Sequence, residues 1–550
     1  MSYNNLKKTN IMLRKINILF LVVSLTFIVG CNEDFLDTKP TDAISEADAF
    51  ASPENMFLVL NGLHRQMYAQ SPIPGGSNSR AGQQYFIPMF DVYCGDLIHT
   101  ARANGWMRAG LQWLNHTNAN STSVTQLWYQ RYHFIATASN IIDNVAKNGY
   151  NVNDPEIANI LGQAHAYRAW AYHVLVSTYA KGYIIGTPAT DPGVPLLLNA
   201  GAPYTSGPRA TVQAVYDQVE DDLAKSIGFF KNASAPKNKS HLSLNAAYGI
   251  QARVSLSKGD WKNASDEAIE ARKGFSLLSE ANWKSGFNTV DLSEVIWGGR
   301  VIDSETTYFR SYFYLISPTF NGSQNRGNPK IVNIERFNQI PATDYRKDVF
   351  LPLAPNTNGA ASNGQGGSFN TDPNYTNSTD FWNAWRNVIG TYGMTTRHNT
   401  HPYMHVKFRQ KNPGTIDPDD VIYMRSSEMY LIEAEAKAML NDIVGAQNAL
   451  KPLGEARDTA YDVTQYDTKA KFMEHIRFQR YVELYGEGFS WHDHIRWDIG
   501  IDLTNSGASQ VLYQNGFMQG KPSVNNAWIW KIPQGEIDAN PNLTEADQNK

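Results

Sequence analysis

The sequence is poor in the features that mark several common protein classes. Its 550 residues include only two cysteines, Cys31 and Cys94, so no disulfide framework is expected, although a single bridge between the two remains an alternative. Stability must then come from burial, for which the chain is ample. The formal net charge of -4 provides no basic surface for nucleic acid, and we predict no nucleic-acid partner.

Motifs of common catalytic and cofactor sites are also missing. The sequence has no Gly-x-Ser-x-Gly elbow and no HExxH, and the glycine-rich stretch 363–367 lacks the Lys-Ser/Thr that completes a phosphate loop. His492, Asp493 and His494 contain metal-ligand types, but two histidines two residues apart point to different faces of a helix. We predict no catalytic residue, metal or cofactor.

One pair of carboxylates leaves an alternative open. Glu483 and Glu487 lie four residues apart on one predicted helical face, a spacing that also suits the paired carboxylates of a glycosidase. Arg480, Asp493 and Arg496 follow closely in sequence, and a charge network that joins two helices accounts for the same residues without any chemistry.

The only long apolar run is N-terminal. Residues 16–29 follow four basic residues and are too few to span a bilayer, which needs about 20 apolar residues. The run ends at Gly30-Cys31, a junction that resembles the lipobox of bacterial lipoproteins. We predict that residues 1–30 are a removed signal peptide and that Cys31 is acylated, which would anchor the protein to a membrane. An ordinary cleaved signal is the alternative.

Apolar periodicity predicts an all-α protein from residue 31 to residue 550. Residues 124–147, 156–180 and 211–230 each have one apolar helical face. Small and apolar residues recur at four-residue steps on both sides of Gly259-Asp260 and again on both sides of Asn441-Asp442. Both patterns indicate antiparallel helical hairpins like those of tetratricopeptide repeats.

A loop-rich segment, residues 301–409, separates the two predicted hairpins. Such a long stretch without clear helical periodicity is usually functional or disordered.

The chain is 12% aromatic, and several of these rings lie in polar, glycine-containing stretches. The candidate ligand-binding aromatic residues are Trp106, Trp113, Trp382 and Trp385. The candidate hydrogen-bonding residues are Asp96, His99, Arg102 and Asn115. Indole rings with nearby polar groups suit sugars, whose CH-rich faces pack on aromatic rings.

Several motifs then occur in the order of a known family. Residues 423–436, Tyr-Met-Arg-Ser-Ser-Glu-Met-Tyr-Leu-Ile-Glu-Ala-Glu-Ala, resemble the "LR-x-x-E-x-x-L-x-x-AEA" helix of the SusD/RagB family. Residues 479–488, Asp493 with 495–497, and 532–541 resemble its "ER-x-x-EL-x-x-EG", "D-x-x-RW" and "IP-x-x-E-x-x-x-NP" elements. Residues 31–40 and segments around Trp128 and Arg168 are similar as well, so the resemblance covers nearly the whole chain. Three positions depart from the family pattern: Gln479, His492 and His494.

This resemblance implies a fold and a function. The fold is a tetratricopeptide-like helical scaffold with a loop-rich, ligand-binding half, and the segment that holds Trp106 and Trp113 contributes to glycan binding. The function is a surface lipoprotein of the outer membrane that binds a glycan and delivers it to a TonB-dependent β-barrel transporter. Glu33, Asp34 and Asp37 after the lipidated cysteine are implied to direct the protein to the cell surface. Two alternatives remain: the same scaffold binding a peptide or another nutrient, and a carbohydrate-active enzyme.

Overall fold

The computed structural model describes residues 46–71, 79–100, 107–199, 207–306, 311–357 and 372–550. The chain divides into two compact units, residues 1–56 and residues 57–550. The described part of the first unit, residues 46–56, contains helix α1 (Glu46–Ala49) and the start of α2 (Pro53–Gln66). The predicted signal segment and Cys31 lie outside the described residues.

The second unit is mostly helical, as the sequence predicts. Its helices in the first half are α3 (Gln83–Cys94), α4 (Arg108–Leu111), α5 (Thr122–Lys147), α6 (Pro155–Tyr179), α7 (Val212–Phe230), α8 (Leu244–Lys258), α9 (Trp261–Ala271) and α10 (Glu280–Trp283). Those in the second half are α11 (Tyr312–Ile316), α12 (Ser323–Arg326), α13 (Ile334–Gln339), α14 (Ser378–Thr391), α15 (Ser426–Met439), α16 (Ile443–Arg457), α17 (Lys469–Glu483), α18 (Ser490–Trp497), α19 (Gln510–Tyr513) and α20 (Gln534–Ala539).

The long helices pack as neighbours in a continuous row. Helix α6 packs against both α5 and α7, α7 against α8, and α8 against α9, while α15 packs against α9, α16 and α17. The turns of the two predicted hairpins are 182 residues apart in the sequence, and the hairpins are adjacent in space through α9 and α15. This row confirms the helical-hairpin scaffold.

Both hairpins turn in the same way. Gly259 ends α8 with a φ of +76°, and Asp260 caps α9 by accepting a hydrogen bond from the Asn263 amide. Asn441 has a φ of +65°, and Asp442 caps α16 through the Gly445 amide. A residue in the left-handed region closes one helix and an aspartate opens the next, which reverses the chain within two residues.

Small residues let the hairpin helices approach closely. Ala434 and Ala438 of α15 face Ala446 and Leu450 of α16 in a core where all four are fully buried. A cluster of larger side chains, including Phe472 of α17, completes this core. The four-residue spacing of alanines in the sequence thus reports the packed face of each helix.

Ten short strands accompany the helices in the described part of the chain and were not predicted. They are β1 (Leu97–His99), β2 (Pro192–Pro195), β3 (Arg209–Thr211), β4 (Val295–Gly299), β5 (Lys330–Val332), β6 (Phe350–Leu351), β7 (Met404–His405), β8 (Val421–Arg425), β9 (Ile501–Asp502) and β10 (Met518–Gln519). Strands β1, β5, β7 and β6 form one antiparallel sheet in that order, and β2–β3, β4–β8 and β9–β10 form pairs.

The segment 301–409 has more regular structure than its composition indicates. Its described residues include four α-helices and three strands, and the 14-residue helix α14 was not predicted. Asn377 caps this helix by accepting from the Asp380 amide, and Phe381 and Ile389 bury its inner face. The apolar periodicity of α14 is weak because Phe381 and Ile389 are its only buried residues.

Within the described segments, no helix combines the length and the hydrophobicity that a membrane span requires.

Candidate functional site

The structure places Trp113, a candidate ligand-binding residue, in the core. Trp113 is only 3% exposed and its indole N–H donates to the Tyr93 carbonyl at 2.9 Å. The ring packs against Trp491 and Trp528 from the C-terminal part of the chain, with ring centroids 5.3 Å and 4.9 Å away. Residues 378 and 415 positions later in the chain thus bury an indole that lies between predicted helices.

Three of the polar candidate residues also contact other residues of the protein. Asp96 is buried, accepts a hydrogen bond from the Ser490 hydroxyl, and has a pKa raised to about 8 by burial. Asn115 is half-buried and donates to the Ser123 hydroxyl at 3.4 Å. His99 is buried in strand β1 beside Asn328, with 3.0 Å between His99 Nδ1 and Asn328 Nδ2. Trp106 and Arg102 lie outside the described residues and remain predictions.

Trp382 and Trp385 lie on one face of helix α14 at the surface. Trp382 is 39% exposed, and its ring meets Trp385 edge to face, with centroids 5.5 Å apart and planes at 88°. Trp385 is half-buried, and its indole N–H donates to the His398 carbonyl at 3.0 Å. Phe381, which is fully buried, packs against Trp382 at 5.1 Å. The structure therefore fixes both indoles while leaving part of Trp382 in solvent.

Two residues that sequence reasoning missed extend this surface. Tyr375 stacks edge to face on Phe381 at 5.5 Å, and its hydroxyl donates to the Leu353 carbonyl at 2.5 Å. The Leu353 side chain is 69% exposed. We call the surface formed by Leu353, Tyr375, Trp382 and Trp385 the aromatic patch. No sequence signal links Leu353 to Tyr375, because the two residues lie 22 positions apart in the loop-rich segment.

Polar groups accompany the aromatic patch on the exposed side of α14. Arg386 and Asn383 are both exposed, and the Arg386 guanidinium donates to the Asn383 side-chain oxygen at 3.0 Å. Ring faces beside amide and guanidinium groups provide apolar contact and hydrogen bonds together, which is the usual composition of small-molecule sites.

The carboxylates Glu483 and Glu487 belong to a buried charge network. Its members, which we call the eight-residue network, are Asp344, Glu294, Glu483, Glu487, Arg346, Arg425, Arg457 and Lys407. Glu483 contacts Arg346 at 3.0 Å, Arg425 at 2.5 Å and Arg457 at 3.1 Å. Four acids therefore balance four bases, and each cation pairs with at least one carboxylate.

A second network contains the residues that the sequence placed beside these glutamates. Asp493 accepts from Arg480 at 2.8 Å and from Arg496 at 2.9 Å, and Arg496 also binds Glu435. These contacts confirm the charge-network interpretation of Arg480, Asp493 and Arg496. The partners of Glu483 and Glu487 were not predicted, since they come from distant segments.

The electrostatics of these glutamates do not suit a glycosidase. Burial acts to raise the pKa of Glu483, but Arg457, Arg425 and Arg346 outweigh it and hold the pKa well below its usual range. The pKa of Glu487 is likewise lowered, because Arg425 and Lys407 outweigh its burial. A general acid needs a raised pKa so that it carries a proton to the leaving group. Neither carboxylate meets that requirement.

The histidines beside Asp493 are structural as well. His494 Nδ1 lies 3.2 Å from the Ile499 carbonyl, and burial lowers its pKa to about 4. His492 packs against Phe90 at 4.9 Å, and burial lowers its pKa to about 4. Across the described ranges, no group of three or more His, Cys, Asp or Glu side chains is placed to hold a metal ion.

A cavity of about 110 Å³ lies between α3, α6, α8 and α18. Apolar side chains such as Phe90, Trp170 and Ile250 line part of it. Its charged lining groups pair with one another or with near neighbours, as in the contact between Arg253 and Glu428 at 2.7 Å. A cavity of this volume has room for several water molecules, since each needs about 10–15 Å³. We assign it to the scaffold.

Comparison with known proteins identifies the family. Residues 306–550 match the model of the SusD family, and residues 34–256 match a SusD-like family described as "Starch-binding associating with outer membrane". SusD-like protein P25 of Formosa agariphila is 22% identical over 562 residues, covering 97% of this chain and 98% of that protein. SusD-like protein P38 of the same organism is 22% identical over 440 residues, covering 71% and 75%.

Solved structures share the fold. A SusD-like carbohydrate binding protein from Bacteroides vulgatus is 21% identical, with a TM-score of 0.71 over 91% of this chain and 98% of that one. A SusD superfamily protein from Bacteroides thetaiotaomicron is 20% identical, with a TM-score of 0.70 over 91% and 100%. Family models that together match most of the chain, and structures of the same fold, agree with the motif order in the sequence. The chain therefore belongs to the SusD/RagB family.

Proposed function

We propose that this protein is a surface lipoprotein of the outer membrane that binds a glycan and delivers it to a TonB-dependent β-barrel transporter. Family membership supports the glycan ligand, since one matching model is described as starch-binding and one structural neighbour as carbohydrate binding. The description "associating with outer membrane" supports the location. The transporter rests on the family resemblance of the sequence.

The aromatic patch is the observation that carries the binding proposal. Trp382 exposes 39% of its surface, although the transfer of an indole out of water is favourable. It is also held in place by Phe381 and Trp385 on a capped helix. A ring that is fixed before the ligand arrives loses little conformational entropy on binding, so the contact contributes more to affinity.

The proposed mechanism is binding without turnover. Of the paired carboxylates that sequence reasoning considered as catalytic, Glu483 is fully buried and the side chain of Glu487 is 8% exposed, and both are bound to arginine or lysine. Their function is to hold together strand β8, α16, α17 and the segments that carry Arg346 and Lys407. The scaffold that these charges maintain then presents the aromatic patch.

The anchor is proposed from the sequence. Acylation of Cys31 would place the body of the protein at a membrane, and the acidic residues Glu33, Asp34 and Asp37 would direct it outward. Two acyl chains hold a protein stably at a bilayer, whereas one does so only marginally.

Delivery to the transporter is tested by uptake. Cells that lack this protein but retain the transporter should take up less of a labelled glycan ligand.

The proposed function is tested by equilibrium binding to a panel of oligosaccharides and peptides, followed by product analysis after long incubation. We expect saturable binding to at least one oligosaccharide and no change in its length. Binding to peptides alone would favour the nutrient alternative, and shortened oligosaccharides would favour the enzyme alternative. Trp106 and Arg102 remain proposed contributors and belong in the same variant series as Trp382 and Trp385.

A further inference from the structure

Three basic side chains form a row across the four-stranded sheet. Strand pairing places His99 directly opposite Lys330, and the pairing of Ile331 with Met404 places Lys330 opposite His405. Residues directly opposite on adjacent strands share a face, with Cβ atoms about 4.5–5.5 Å apart. We call His99, Lys330 and His405 the basic row. Their chain neighbours Ile331 and Met404 point to the other face of the sheet.

The basic row is buried. His99 is 1% exposed, Lys330 is 2% exposed and His405 is fully buried. Burial lowers the pKa of Lys330 to about 7. Burial, together with the nearby Lys330, lowers the pKa of His405 to about 3. A buried lysine normally pairs with a carboxylate, because an unpaired charge in a protein interior is costly.

No acid compensates the basic row within the described part of the chain. The Lys330 ammonium and both ring nitrogens of His405 have no hydrogen-bond partner there. His99 Nδ1 lies 3.0 Å from the Asn328 amide nitrogen, so it accepts from that amide and the proton of the neutral ring resides on Nε2. The Nε2 proton also has no partner among the described residues. The row therefore presents hydrogen-bond donors. The Ile316 backbone acts to raise the pKa of His405, but it lies outside hydrogen-bond geometry.

Lys407 provides the internal comparison. It is also a fully buried lysine, but its ammonium donates to the Glu487 carboxylate at 2.7 Å and to the carbonyls of Glu483 and Tyr485 at 2.8 Å and 2.9 Å. The fold can thus satisfy a buried lysine with three acceptors. At Lys330 it supplies none from the described residues.

We propose that the basic row binds an oxyanion and that its ligand is the carboxylate or sulfate ester of an acidic saccharide. This inference rests on the proposed glycan-binding function and names the class of glycan. A carboxylate or sulfate oxygen accepts hydrogen bonds from several donors and carries the charge that Lys330 needs. Charge-assisted hydrogen bonds from a buried lysine are strong because the surroundings screen them little.

The test compares uronic-acid and sulfated oligosaccharides with their methyl-esterified or desulfated counterparts by calorimetric titration. We expect at least one charged member to bind tenfold or more tightly than its neutral counterpart. Lys330→Met should remove that difference and leave the affinity for neutral members unchanged. Equal affinity for charged and neutral members would overturn the inference but leave glycan binding intact, whereas binding of neither kind would count against the proposed function itself.

Thermal melting separates a ligand role for Lys330 from a structural one. Lys330→Met removes an unpaired buried amine and should melt no lower than the parent, whereas Lys407→Met breaks a paired one and should melt lower. A lower melting temperature for Lys330→Met with unchanged affinity for charged ligands would overturn the proposal. Inorganic sulfate is the control for a free anion: if it stabilises the parent and Lys330→Met equally, the stabilisation does not come from the row.

Proton uptake tests the same site in the unmodified protein. An oxyanion bound at the row favours the charged form of Lys330, so binding at pH 8 should take up close to one proton per ligand. Titrations in two buffers of different ionisation enthalpy measure this number. Among the described residues, the titratable groups that act on the row from neighbouring positions are its own members and Lys407. Binding of a charged saccharide without proton uptake would contradict the assignment.

Discussion

Replacing Glu483 by glutamine should destabilise the protein strongly. Glu483 is fully buried and accepts hydrogen bonds from three arginines and from the Trp283 indole at 3.3 Å. The substitution keeps the shape of the side chain but leaves four cations with three carboxylates in the eight-residue network. Breaking one side of a buried ion pair costs about 3–5 kcal/mol, because the remaining charge is neither solvated nor neutralised.

The assay is the free energy of unfolding in urea, measured beside a thermal melt. Lys451→Met is the matched control, since Lys451 and Glu455 form an ion pair on helix α16 that is about half exposed. Exposed pairs of this kind contribute about 0.3–0.5 kcal/mol. We therefore expect a loss for Glu483→Gln several times that of the control.

The effect of Glu483 should also depend on pH. Its folded pKa lies below the unfolded value, so its stabilising contribution is present above the unfolded pKa of about 4.3 and is lost as pH falls below it. The difference between parent and Glu483→Gln should accordingly shrink between about pH 5 and pH 3. The reasoning is refuted if the variant unfolds like the control at pH 7, and a variant of parental stability that loses hydrolysis of a polysaccharide would support an enzyme instead.

Three further predictions test other parts of the account. Cys31→Ser should yield a soluble protein by cell fractionation in a strain without the partner transporter, and membrane partitioning equal to that of the parent would exclude the lipid anchor. Trp113→Ala should lower the free energy of unfolding by about 3–5 kcal/mol, as emptying a buried tryptophan site does, while the affinity of the remaining folded protein for glycan stays unchanged in titration. Burial raises the folded pKa of Asp96 to about 8, so its contribution to stability declines as pH rises from about 4 to 8; Asp96→Asn should therefore gain in melting temperature relative to the parent between pH 5 and pH 8, and a constant difference would contradict that pKa.

The helical scaffold could be predicted because its signals are local. The alanine spacing and the turns at Gly259-Asp260 and Asn441-Asp442 specify each hairpin within about 30 residues, and the structure confirms both. Helix α14 escaped prediction because solvent, rather than a core, faces most of its surface. The short strands escaped prediction because runs of two to five residues show too little alternation of apolar and polar positions to be recognised.

The candidate site could be predicted only in part. Whether an indole lies at the surface or in the core depends on what packs over it, and Trp491 and Trp528 cover Trp113 from distant positions. The same limit applies to charge: Glu483 was recognised as a network residue, but its partner Arg346 lies 137 residues away. Lys330 carries no sequence signal, because its lack of a partner is a property of the folded sheet.

The central claim is that the aromatic patch binds the glycan, and calorimetric titration of Trp382→Ala tests it most directly. Removing a stacking indole should cost about 1–3 kcal/mol, the value of withdrawing a comparable apolar surface from water. The affinity for a glycan that the parent binds should therefore fall about 5-fold to 150-fold. The melting temperature should stay near that of the parent, because Trp382 is 39% exposed. Unchanged affinity in Trp382→Ala, with parental melting, would contradict the claim.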